Sequence, residues 1–145
     1  MKLRTYGIVF IQFMLVVVFV YAAVTKLIDH GQFYNDLRNS PVFGNPTLSV
    51  MLSWGVPLVE LLVATLLLID QFTLTGLYAS AVLMIAFTIY IAGILLFSTE
   101  IPCSCGGIIS TLTWESHLVF NVAITGLAFL GIHMFRNIQK TSLTS

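Results

Sequence analysis

Four long apolar runs separated by short polar breaks make up most of the chain. They cover about residues 6–28, 48–69, 72–97 and 114–135. A helix rises 1.5 Å per residue, so about 20 apolar residues cross the hydrocarbon of a bilayer, and each run is long enough. The pattern predicts an all-α, polytopic membrane protein: a bundle of four transmembrane helices forming a single integral membrane domain over residues 1–145. The second break, Asp70-Gln71, predicts a very tight turn. The first break is richer, and within it Phe33, Tyr34 and Leu37 fall at helical spacing among charged neighbours. That spacing predicts a short interfacial helix over Gln32–Arg38, stopped by Pro41 and Pro46. A cleaved signal peptide competes for the first run, because Ala22-Ala23 resembles a cleavage region. Its apolar core is too long for that, and Lys26 follows without a small-x-small site, so retention as the first span is expected. No repeat or soluble domain is visible.

Composition supports lipid as the solvent. The 145 residues are 58% hydrophobic and 8% charged, whereas a soluble domain carries about 25% charged residues. The net charge is zero, which gives nucleic-acid binding no electrostatic basis. The few cations set an expected topology. Lys2, Arg4, Arg136 and Lys140 flank the outermost spans, while Lys26 and Arg38 lie in or beside the first long break. The positive-inside rule then places both termini in the cytoplasm and both longer connections outside a bacterial inner (cytoplasmic) membrane.

Under that topology the third break faces an oxidising compartment, the periplasm in a Gram-negative host. It contains Ile101-Pro102-Cys103-Ser104-Cys105-Gly106-Gly107, with both cysteines of the chain. A Cys-x-Cys disulfide closes a very small ring, and strained disulfides are better oxidants than relaxed ones. Pro102 before the pair and Gly106-Gly107 after it favour a tight turn. Cys103 and Cys105 are therefore candidate exchange residues in a Cys-x-Cys loop between the third and fourth spans. His117 follows twelve positions after Cys105, and an imidazolium near a thiol raises its thiolate fraction. Asn121 shares a helix face with His117 at i, i+4, and that pair could equally be glue between helices. Metal binding by Cys103, Cys105 and His117 is the competing use of these residues. The set is one ligand short of a structural zinc site and closer to what Cu(I) takes, so no metal is expected.

Glu60, near the middle of the second run, costs about 2.5–3.5 kcal/mol at that depth on insertion scales, which makes it a functional candidate. It could also be a protonated residue that fixes helix register. Lys26 could snorkel to the interface or pair with Glu60. His30 and His133 are expected at the interfaces. Tyr6, Tyr34, Phe43, Trp54, Phe97, Trp114 and Phe135 fall where aromatic belts occur. Gly76 with Ser80, and Gly126 with Gly131, mark candidate close helix contacts. No resident cofactor is expected; a quinone is the candidate ligand for a groove lined by Phe87, Tyr90 or Phe120.

Ala23-Val24-Thr25-Lys26-Leu27-Ile28-Asp29 with a later Phe33, Pro57-Leu58-Val59-Glu60-Leu61, and Pro102-Cys103-Ser104-Cys105-Gly106-Gly107 ahead of His117 and Asn121 together resemble the MauE branch of the DoxX-like membrane proteins. The resemblance covers nearly the whole chain and implies four transmembrane helices. It implies a part, beside a thioredoxin-like partner, in maturing disulfide-rich exported protein, as in the small subunit of methylamine dehydrogenase; that client is not carried over to this chain. The resemblance makes Cys103 and Cys105 the redox pair. Four-helix thiol oxidoreductases of the DsbB and vitamin K epoxide reductase type are a more distant analogy. They use Cys-x-x-Cys and further cysteines, which are missing here, so one pair could not relay electrons between two internal disulfides. The leading expectation is a membrane thiol–disulfide redox protein exchanging electrons with a periplasmic thioredoxin-fold protein, with Lys26, Glu60 and Asn121 shaping a polar pocket. The alternative is a non-catalytic subunit of a larger membrane complex in which the cysteines hold a turn.

Overall fold

Helix ends are set by a few local interactions in the computed structural model, which describes residues 2–40, 44–97 and 114–143. The chain forms α1 (Lys2–Ile28), α2 (His30–Asn39), α3 (Pro46–Leu68), a 3-10 turn (Asp70–Phe72), α4 (Thr73–Phe97) and α5 (Trp114–Leu143). The fold class is all-α, as the hydrophobic pattern implies. The Cys-x-Cys segment, with Cys103 and Cys105, lies outside the described residues.

The interfacial helix α2 is longer than Gln32–Arg38. It ends at Asn39 because Ser40 precedes Pro41 and takes an extended conformation (φ −69°, ψ 137°), as the ring of a following proline demands. α3 begins at Pro46, two residues before the apolar run. The Asn45 side chain accepts the Thr47 N–H at 3.0 Å, and Pro46 occupies a first-turn position where no N–H is needed. Pro57 sits inside α3, buried among its neighbours. It withdraws one backbone donor, which a packed membrane helix can tolerate. At the Asp70–Phe72 turn, Phe72 N–H donates to the Ile69 carbonyl at 2.8 Å.

The four long helices close a ring: α1 packs on α3, α3 on α4, α4 on α5, and α5 on α1, with α2 against α3. Leu15, Phe19, Leu67, Leu77 and Ile94 fill the centre. Phe10, Phe13, Met51, Leu58, Val82, Ile89, Leu96 and Val119 point outward and are exposed, while Glu60, Ser49, Ser53, Ser80 and Asn121 are buried. An apolar exterior over a partly polar interior suits a hydrocarbon solvent. Tyr6–Ile28, Pro46–Leu68, Asp70–Leu96 and Ser116–Thr141 are each long and apolar enough to cross a membrane. The protein is a multi-pass membrane protein.

One end of the bundle is fastened by Gln12. Its Nε2 donates to the Leu67 carbonyl and the Thr73 hydroxyl, both at 3.1 Å, joining α1 to the α3–α4 turn. Gly7 and Met134 meet near the same end, so α1 starts and α5 finishes there. Of the three glycines marked as candidate close contacts, Gly76 and Gly131 are closely approached and Gly126 is not. A Cβ on Gly76 would lie 2.9 Å from the Leu67 backbone nitrogen, and one on Gly131 would lie 2.9 Å from a Leu77 methyl. Gly126 meets nothing within 4 Å. It instead borders an outward-facing apolar groove of about 320 Å³ between α4 and α5, lined by Ile85, Thr88, Ile89, Val122, Thr125, Gly126 and Phe129. Phe87, Tyr90 and Phe120 do not line that groove.

Gly76→Ala pushes against backbone, which cannot rotate away, and is expected to cost about 1–3 kcal/mol. Gly131→Ala meets only side-chain atoms of Leu77 and Ile11 and should cost less. Unfolding of the purified protein in mixed micelles measures both; equal losses would show that the α3–α4 backbone approach is not the tighter one.

Candidate functional site

Lys26 lies two residues before the end of α1, close enough to the interface to snorkel. It does the opposite. Its ammonium donates to the Ala22 carbonyl, one turn back along α1, at 3.2 Å, and to Glu60 Oε1 at 2.8 Å. A lysine on a helix leaves the backbone tilted toward the N-terminus. Here that tilt leads into the bundle, and Glu60 on α3 holds the charge there. Glu60 is fully buried, whereas the Lys26 side chain retains 23% exposure.

The other elements close around this ion pair. The Phe33 ring on α2 lies 5.8 Å from the ammonium and the Phe87 ring on α4 lies 5.6 Å from it, both measured to the centroid. At such distances the negative face of a ring attracts a cation. From α5 come Asn121, which is 4% exposed, and half-buried His117, which lies within electrostatic reach of Lys26. The structure thus pairs Lys26 with Glu60 and brings His117 within electrostatic reach of Lys26; Asn121 is buried one turn further along α5. Phe33 and Phe87 stand beside the ammonium as aromatic walls. Hydropathy could not reveal this, since an aromatic beside a buried cation looks like any other apolar residue.

A second polar contact lies on α2 and the first half of α3. His30 Nε2 and the Ser53 hydroxyl are 3.1 Å apart, and that hydroxyl donates to the Val50 carbonyl at 2.9 Å. The hydroxyl's one proton is used, so His30 donates through Nε2–H. The His30 ring also stacks against Trp54, with centroids 4.2 Å apart. His30 is therefore a fastener of α2 to α3. His133 pairs with Asn137 on the exposed face of α5 at 3.0 Å.

Chemically, Lys26, Glu60 and His117 offer a held ammonium, a carboxylate with one oxygen occupied and an imidazole. That set can bind a polar group or pass a proton inside an apolar wall. Lys26→Met strands the Glu60 carboxylate and should destabilise the fold by about 3–5 kcal/mol, as loss of one partner of a buried pair does. Replacing both residues with methionine should recover much of that loss. Additive losses in a double-mutant cycle, measured by denaturant unfolding in micelles, would show that the two residues are not coupled.

A family model described as methylamine utilisation protein MauE matches residues 4–134. That span reaches into all four long helices, stopping short of the end of α5, and includes Lys26, Glu60, His117 and Asn121. No curated protein and no solved structure matches the chain significantly.

Proposed function

Because the chain belongs to the MauE family, we propose that it is a membrane thiol–disulfide redox protein whose Cys103–Cys105 pair exchanges electrons with a thioredoxin-fold partner outside the cytoplasm. The exchange supports maturation of exported proteins. The family's description names methylamine utilisation; the chemistry proposed here does not depend on which exported client receives the disulfide. The observation that carries the reading is the Lys26–Glu60 pair with half-buried His117 beside it. His117 stands near the start of α5, the helix that follows the cysteine segment in the chain.

The exchange balances as two thiol–disulfide steps. The thiolate of one cysteine attacks the partner's disulfide, forming a mixed disulfide and releasing one partner thiolate. The second cysteine attacks the mixed bond and releases the other. Cys103 and Cys105 end as a disulfide and the partner as a dithiol, with two electrons and two protons transferred. The reverse sequence oxidises the partner. His117 is the imidazole offered to tune the attacking thiolate, and Lys26, Glu60 and Asn121 shape the polar pocket behind it. After the reverse sequence, which leaves Cys103 and Cys105 as a dithiol, a membrane quinone is the candidate oxidant that takes up their two electrons and two protons and becomes the quinol, with Phe87, Tyr90 and Phe120 the aromatic residues offered to it. The protein sits in the bacterial inner membrane with both termini in the cytoplasm.

Two measurements test the proposal. A membrane-impermeant maleimide should label Cys103 and Cys105 in intact, reduced cells; labelling only after lysis would reverse the topology. Cys103→Ser or Cys105→Ser should trap a reducible mixed disulfide with a thioredoxin-fold protein. If both variants keep full function and trap nothing, the pair is a structural turn in a non-catalytic subunit.

A further inference from the structure

The groove between α4 and α5 opens toward hydrocarbon, and the groups that line it decide what can fill it. Ile85 and Ile89 form one wall and Val122 and Phe129 the other, all four exposed on the outside of the bundle. Between them Gly126 carries no side chain, and a Cβ there would meet nothing within 4 Å. Thr88 and Thr125 are the lining residues with a hydroxyl. Each is turned to its own helix, donating to the Met84 and the Asn121 carbonyl respectively, both at 2.7 Å. With both protons used, the lining side chains have no donor left for an occupant.

We propose that this groove binds one acyl chain of a membrane phospholipid, drawn from the leaflet nearest the start of α5. Depth is the first reason. Val122 and Phe129 lie seven residues apart, so the groove runs about 10 Å along α5 at 1.5 Å per residue. Phe129 stands at the middle of the Ser116–Thr141 span and Val122 nearer its start. The groove therefore covers about two thirds of one leaflet, whose hydrocarbon is about 15 Å deep, and it stops at mid-membrane, where acyl chains end. Width is the second reason. The groove holds about 320 Å³. Spread over its length, that is a mean section of about 30 Å², whereas a helix about 10–12 Å across needs about 80–110 Å². A second copy of the chain cannot lay a helix there. Seven lining residues also fall far short of the roughly 20–30 a side that a stable protein interface uses. Water needs several polar partners to occupy a cavity, and this lining supplies none as donors. An alkyl chain needs no such partner. It meets carbon on both walls and so gains more dispersion than on a flat helix face, which is what can retain it where the solvent is itself hydrocarbon. The site is independent of thiol exchange and stands or falls separately from it.

The test uses the full-length protein in phosphatidylcholine vesicles. A trace of the same lipid carries a photoactivatable diazirine midway along one acyl chain. After irradiation, mass spectrometry measures the adduct at each residue. Ile89, Val122 and Phe129 should take up several-fold more than Leu58, Leu62 and Val82, which are exposed to lipid outside the groove. Gly126→Leu fills the groove and should bring its remaining residues down to the level of those controls. Ile89→Trp fills it from the opposite wall and supplies the same reading should Gly126→Leu disturb folding, which thermal unfolding in the same vesicles reports. Equal labelling of groove and control residues overturns the proposal, as does groove labelling that survives both substitutions. A groove that takes up less adduct than the controls also overturns it, because that is the pattern of a face covered by a second chain.

Discussion

A carboxylate cannot stand alone in hydrocarbon, and the arrangement of this bundle follows from that constraint at Glu60. The carboxylate is fully buried on α3 and 2.8 Å from the Lys26 ammonium on α1. Its partner must reach inward from near a helix end, so α1 and α3 are locked in register. α2 and α4 then place aromatic faces on the same ammonium. Only the ring of four helices provides enough apolar surroundings for the pair to stay in place.

The remaining contacts hold that ring from its two ends. Gln12 ties α1 to the last turn of α3 and the first residue of α4, satisfying a helix-end carbonyl that would otherwise be orphaned. At the other end of α1, His30 and Ser53 join α2 to α3. Gly76 admits the α3 backbone, and in a lipid solvent such close packing replaces the hydrophobic drive that holds a soluble core together. The polar contacts that join these helices face inward and much of the apolar surface faces outward, the reverse of a water-soluble protein.

The exchange reading gains from this arrangement because the polar region is not a surface feature. A cysteine pair served by an interior ammonium, carboxylate and imidazole would have its charge balance set by rigid helices. The MauE family match runs over residues 4–134, a stretch of sequence that includes both Lys26 and Glu60 and the Cys-x-Cys segment.

Hydropathy along the chain was sufficient for the class of the protein. Four apolar runs of spanning length allow helices and little else, because every backbone polar group in lipid must be satisfied within its own segment. Glu60 was legible for the same reason, since its cost at that depth demands an explanation. Helix ends were less so: Asn45 and Ser40 moved the boundaries of α3 and α2 through caps and a proline neighbour that an apolar run does not register. What the sequence could not contain is direction around each helix axis. Lys26 reads equally well as a snorkelling residue or a partner, and Gly126 and Gly131 read alike. Only packing turned Lys26 inward to Glu60, buried Gly131 against Leu77, and left Gly126 on an open groove. Hydropathy reports depth in the membrane, whereas contact depends on depth and azimuth together, and azimuth is decided only when four helices share one core.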